Sequence, residues 1–202
     1  GLQWVINSYA LAFSALLILG GAWGDRFGAK TVFASGFALF TIASIGCGFS
    51  NSMSMLIGMR IVQGVGAALL VPTSLTLIRL SFDDPAKRRS AVAMWGACGG
   101  IALAAGPVMG GLLIESLGWR SVFLLNVPIG ILAIGLIIHY APASPRIDKK
   151  VDIPGLISIG ICLALLTYAL TESSSKGWVT DTVSTMAIAV FCAIAFVLIE
   201  RR

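Results

Sequence analysis

Charge is scarce in this sequence. Asp, Glu, Lys and Arg make up 11% of its 202 residues against 57% for the apolar set, and seven long runs hold almost none of it. That balance excludes an ordinary water-soluble domain, whose surface needs far more charge. One histidine, His139, and four cysteines without paired spacing, Cys47, Cys98, Cys162 and Cys192, offer neither a metal-ligand set nor a disulfide framework. No phosphate-binding loop precedes a helix and no catalytic constellation of polar groups occurs, so the sequence does not read as an enzyme or a nucleotide-driven pump. No metal or other cofactor is expected. The basic residues form no stripe with interleaved aromatics, which argues against nucleic acid as a partner. Period-two alternation is missing as well, so the apolar runs are not the strands of a membrane barrel.

What is present is a series of runs long enough to cross a bilayer. At about 1.5 Å per helical residue, some 20 residues reach the roughly 30 Å of the hydrocarbon core, where a helix satisfies its own backbone groups. The runs fall at residues 3–23, 31–50, 55–79, 91–114, 122–141, 153–171 and 183–199. An all-α membrane protein with about seven transmembrane helices follows. Of 14 basic residues, 11 lie at Arg26, Lys30, Arg79, Lys87, Arg88, Arg89, Arg146, Lys149, Lys150, Arg201 and Arg202, all on one side of that topology. This places those connections in the cytoplasm, and the net charge of +5 reflects orientation against an anionic lipid surface. With residue 26 inside, Gly1 lies outside. A further helix is therefore expected upstream, and the chain is read as a fragment of a longer protein.

Three motifs carry functional information. Gly21, Asp25, Arg26, Gly28 and Lys30 form G-x-x-x-D-R-x-G-x-K between the first two runs. Leu56, Arg60, Gln63 and Gly64 form L-x-x-x-R-x-x-Q-G in the third. Gly106, Pro107, Gly110 and Gly111 form G-P-x-x-G-G in the fourth. An intramembrane arginine is costly unless it faces polar surroundings, and Gln63 shares its helix face. The Gly-Pro motif offers a bend and a surface with almost no side chains. The glycine-rich segment from Gly21 to Lys30 reads as a tight charged loop at the membrane face.

In this order the motifs resemble those of the major facilitator superfamily. The third resembles the antiporter motif, the run from Trp119 to Gly130 resembles the helix 6 region of the drug:proton antiporters, and the final two runs resemble the extra central pair of the fourteen-helix branch, the EmrB/QacA type. The resemblance implies a partial major facilitator fold equivalent to helices 2 to 8 of such a transporter. Residues 1–141 would be an N-terminal domain lacking its first helix, 142–152 a cytoplasmic linker, and 153–202 two extra central helices. Helix 1 and the C-terminal domain of the same chain are then missing partners.

Proton-coupled multidrug efflux by alternating access is the activity the resemblance implies. Its substrate is an amphipathic small molecule, its coupling ion the proton, and its setting the bilayer of a cell membrane, in all expectation the bacterial cytoplasmic membrane. Asp25 would latch the outward-facing state in a gating loop, with Asp83 and Asp84 expected to pair with Arg26 or Lys30. Arg60, Gln63 and Gly64 would serve proton coupling. Gly106, Pro107, Gly110 and Gly111 would form the antiporter hinge. Asn7 and Ser14 share one side of the first run and, with Trp95, make a candidate substrate cavity. Two other readings stand beside this one: a facilitator or symporter of sugars or other metabolites, and a seven-helix membrane receptor.

Overall fold

The computed structural model describes residues 2–145, 153–177 and 179–200. Among these, eight helices follow one another: α1 (Leu2–Phe27), α2 (Ala29–Gly48), α3 (Met53–Ser81), α4 (Pro85–Leu117), α5 (Arg120–Leu124), α6 (Asn126–Tyr140), α7 (Ile153–Lys176) and α8 (Thr180–Glu200). Six segments are long and apolar enough to cross a membrane: α1 to α4, Arg120–Tyr140 and Pro154–Ser173; α8 carries a shorter apolar stretch, Thr180–Ile194. Arg146, Lys149, Lys150, Arg201 and Arg202 lie outside the described residues.

The central helix is α3, packed along both α1 and α2; α6 lies on α2, α7 on α1 and α8 on α7. In lipid there is no hydrophobic gain in bringing apolar helices together, so close packing of small side chains has to hold them. The contact faces follow that rule. Ala29, Ala43, Cys47, Ala67 and Ala68 are buried, whereas Ile42, Phe49, Ile61 and Ile138 face outward. A methyl group added at Gly64 would lie 2.6 Å from the Tyr9 carbonyl oxygen and 2.9 Å from Ala12 Cβ, so α1 and α3 meet nearly backbone to backbone there.

Two features differ from the sequence reading. The expected loop between the first two spans shrinks to one residue, because α1 continues through Asp25 and Arg26 to Phe27 and α2 resumes at Ala29. Gly28 makes the whole turn at φ 91°, a conformation that glycine adopts without cost. The fifth span is two helices joined at Leu125, which keeps right-handed helical angles of φ −57° and ψ −32°. Pro128, at the start of α6, has no N–H to return to the Leu124 carbonyl, which accounts for the break.

α4 stands apart: none of its residues is buried, and a Cβ at Gly96, Gly99, Gly100, Gly106, Gly110 or Gly111 would meet nothing within 4 Å.

Candidate functional site: a polar chain across four helices

Arg60 sits in the second turn of α3 and is held from two directions. Its Nε donates to the Val5 carbonyl of α1 at 2.9 Å and its Nη1 to Gln63 Oε1 at 2.7 Å. Its guanidinium also lies over the Tyr9 ring, 4.2 Å from the centroid, with the Phe123 ring at 5.9 Å. A cation in lipid needs such partners, and all of these are neutral.

Gln63 passes the chain on. Its Nε2 donates to Ser44 Oγ in α2 at 2.7 Å, and Ser44 Oγ donates in turn to the Phe40 carbonyl at 2.8 Å. Asn126 Nδ2, from the start of α6, approaches the same hydroxyl at 3.5 Å. Gln63 is 1% exposed and Ser44 0%. Buried groups of this kind are expensive unless satisfied, so the chain fixes one arrangement of α1, α2, α3 and α6.

Next to this chain lies a cavity of about 380 Å³ lined by Tyr9, Phe13, Phe37 and Phe40, with Ala67, Leu70, Val71, Asn126, Ile129 and Gly130 completing its wall. Tyr9 and Asn126 belong to both. The volume and the mix of aromatic walls with one amide suit a small flat apolar ligand carrying a polar group.

At the opposite end, Asp25 and Arg26 are exposed on the last turn of α1, and the Arg26 guanidinium lies 5.5 Å from the Phe27 ring centroid. Lys30 turns elsewhere. Its Nζ donates to the Ile138 and Ala141 carbonyls, both at 2.9 Å, and its backbone N–H donates to Ser144 Oγ at 3.0 Å. The cation thereby occupies the C-terminal end of α6, where the helix dipole favours it, and Ser144 satisfies an N–H that Gly28 cannot cap. The expected pairing with Asp83 or Asp84 is therefore not the arrangement at Lys30. Asp84 instead caps α4, accepting from the Ala86 N–H at 2.8 Å, with Pro85 in the first helical turn.

The candidate cavity residues Asn7, Ser14 and Trp95 do not converge. Ser14 Oγ accepts from Thr167 Oγ1 of α7 at 3.1 Å, so this face of α1, which Asn7 shares, is turned towards the last helix pair. Trp4 and Tyr168, with ring centroids 6.0 Å apart, extend the same contact. Trp95 lines a separate cavity between the start of α2, the end of α3, α4 and the end of α6. Gly106, Pro107, Gly110 and Gly111 lie together on α4, away from Arg60's chain of partners. Sequence reasoning missed Ser44, Ser144 and the role of Phe37 and Phe40. A serine in a membrane helix can satisfy itself on a carbonyl one turn back, so Ser44 sends no signal of its own.

Comparison with known proteins agrees with this architecture. The family profile described as the Major Facilitator Superfamily matches residues 1–200. The chain is 37% identical over 202 residues to the Methylenomycin A resistance protein of Streptomyces coelicolor, covering 100% of this chain and 42% of that protein. It is 36% identical over 203 residues to the Tetracenomycin C resistance and export protein of Streptomyces glaucescens, covering 99% and 38%. To the Riboflavin transporter RibZ of Clostridioides difficile it is 39% identical over 177 residues, covering 86% and 38%. The chain thus spans about two fifths of the length of these curated relatives.

Proposed function

Because this chain belongs to the Major Facilitator Superfamily, a family of membrane transporters and not of enzymes, we propose that it forms part of a proton-coupled exporter of amphipathic small molecules. The observation that carries this reading is the Arg60–Gln63–Ser44 chain beside the aromatic cavity. A fixed cation and an apolar slot share Tyr9 as a common wall, so a ligand in the slot and the placement of the guanidinium would influence each other. Alternating access about a midplane site turns such coupling into transport. The names of two relatives, one a resistance protein and one a resistance and export protein, support the outward direction.

In this reading residues 1–141 belong to the N-terminal domain, 142–152 link it to an inserted pair, and 153–202 supply two extra central helices of a fourteen-helix transporter. Asp25 and Arg26, exposed at the turn, would meet the other domain as a gate, with Asp83 and Asp84 across the α3–α4 connection. The Gly106–Gly111 face of α4 would be the antiporter hinge, packing against partners outside this chain. The receptor alternative falls away with the family assignment.

A second reading keeps a specific support: the riboflavin transporter among the relatives makes a metabolite an alternative cargo. One experiment tests both. The full-length protein is reconstituted in vesicles, and proton release is followed as substrate is added. Release on adding amphipathic drugs supports drug:proton antiport; release only with a vitamin or sugar supports the second reading; proton-independent movement of either removes the coupling.

A further inference from the structure

The cytoplasmic ends of α2, α3, α4 and α6 enclose a second cavity, of about 370 Å³, distinct from the aromatic one beside Arg60. Phe33, Leu77, Trp95, Leu136 and Tyr140 give it apolar walls. Its two serines are turned to their own helix, Ser74 Oγ to the Val71 carbonyl at 2.6 Å and Ser81 Oγ to the Leu77 carbonyl at 2.8 Å. An apolar cleft whose serine hydroxyls are already engaged has little to hold water with. Trp95 and Tyr140 remain 40% and 75% exposed, so the cleft is open at the side.

Its rim is cationic. Lys30 Nζ is hydrogen-bonded to the carbonyl of Ala141, a lining residue. Arg88 donates from Nε and Nη2, at 3.1 and 3.0 Å, to the carbonyl of Phe82, another lining residue. Both carbonyls lie just past the cytoplasmic ends of helices, Ala141 after α6 and Phe82 after α3. The partners of the two cations are neutral carbonyls, so their charge is kept. Asp83 and Asp84 share this connection, but Arg79, Lys87, Arg88 and Arg89 outnumber them.

An apolar cleft opening sideways at the level of the inner leaflet, under two cations, matches an anionic amphiphile and repels a cationic one. Basic pockets between transmembrane helices on the cytoplasmic side bind acidic headgroups by the same physics. We infer that this cleft is a binding site for an anionic phospholipid, with an acyl chain along Phe33, Leu136 and Tyr140 and the phosphate between Lys30 and Arg88. The inference is independent of what the protein transports.

The full-length protein, purified in detergent, is titrated with phosphatidylglycerol or with phosphatidylcholine of matched chains, and retained lipids are counted by native mass spectrometry. The wild type is expected to retain phosphatidylglycerol at about tenfold lower concentration than phosphatidylcholine. Arg88→Gln should reduce that preference several-fold while phosphatidylcholine binding stays unchanged. Leu136→Trp, which fills the cleft, should retain one lipid fewer of either kind. Equal retention of the two lipids by the wild type overturns the inference. So does an unaltered lipid count and preference in both variants, provided that they melt as the wild type does.

Discussion

Gln63 accepts from Arg60 Nη1 at 2.7 Å, and this bond decides which end of its amide faces Ser44. A guanidinium only donates, so the carbonyl end is held towards Arg60 and the N–H end is turned to α2. Rotation of the amide would set donor against donor at Arg60, so the arginine aims the motif's own glutamine at a serine on a neighbouring helix.

Replacing Gln63 by Leu leaves Arg60 short of an acceptor and Ser44 Oγ without its principal donor. A stability loss of about 1–3 kcal/mol is expected, the usual cost of stranding buried polar groups, together with a fall in proton-coupled transport. Thermal melting in detergent and vesicle assays on the full-length protein measure the two effects. Unchanged melting would show that the chain of bonds contributes nothing to packing.

Arg60→Lys keeps the charge but not the fork. A lysine ammonium cannot reproduce the planar guanidinium that bonds Val5 and Gln63 while lying on the Tyr9 ring. Coupled transport is expected to drop at least about tenfold, a loss of roughly 1.4 kcal/mol, with the protein still inserted. Full activity in this variant would rule out a specific guanidinium role.

Two glycines make a paired test. At Gly64 a larger side chain meets the α1 backbone, so Gly64→Val should destabilise by about 1–3 kcal/mol through overpacking. At Gly106 a Cβ meets nothing within 4 Å. Gly106→Leu should therefore leave this chain's own packing intact and still insert, yet lose efflux, if α4 works as a hinge against the rest of the transporter. Retained efflux in Gly106→Leu would remove the hinge.

Lys30→Ala frees the carbonyls of Ile138 in α6 and of Ala141 just past it, and is expected to cost about 1 kcal/mol, the worth of a cation at a helix C-terminus. Asp84→Ala should cost a similar amount through the lost cap on α4. A melting comparison of the two singles with the double variant should give additive losses, because the two contacts share no partner.

Legibility differed by residue. Arg60 and Gln63 could be paired from their spacing alone, because residues three apart on a helix lie on one face. Ser14 could not be placed. Its spacing from Asn7 fitted a cavity wall as well as a helix contact, and only the position of Thr167 in α7 shows which side that face meets. The turn at Gly28 was expected in place but not in length, since a helix carrying charged residues at a membrane face can continue into the interface until a residue with positive φ ends it.

The sequence by itself determined that the chain threads a membrane as helices and where its motifs fall. These follow from run lengths and local spacing, both properties of neighbouring residues. Only the tertiary structure decided that Gln63 meets Ser44, that Lys30 closes the end of α6, and that α7 lies on α1. Each joins side chains far apart in sequence, and in lipid nearly every apolar face is equally acceptable, so hydropathy carries no record of which faces meet.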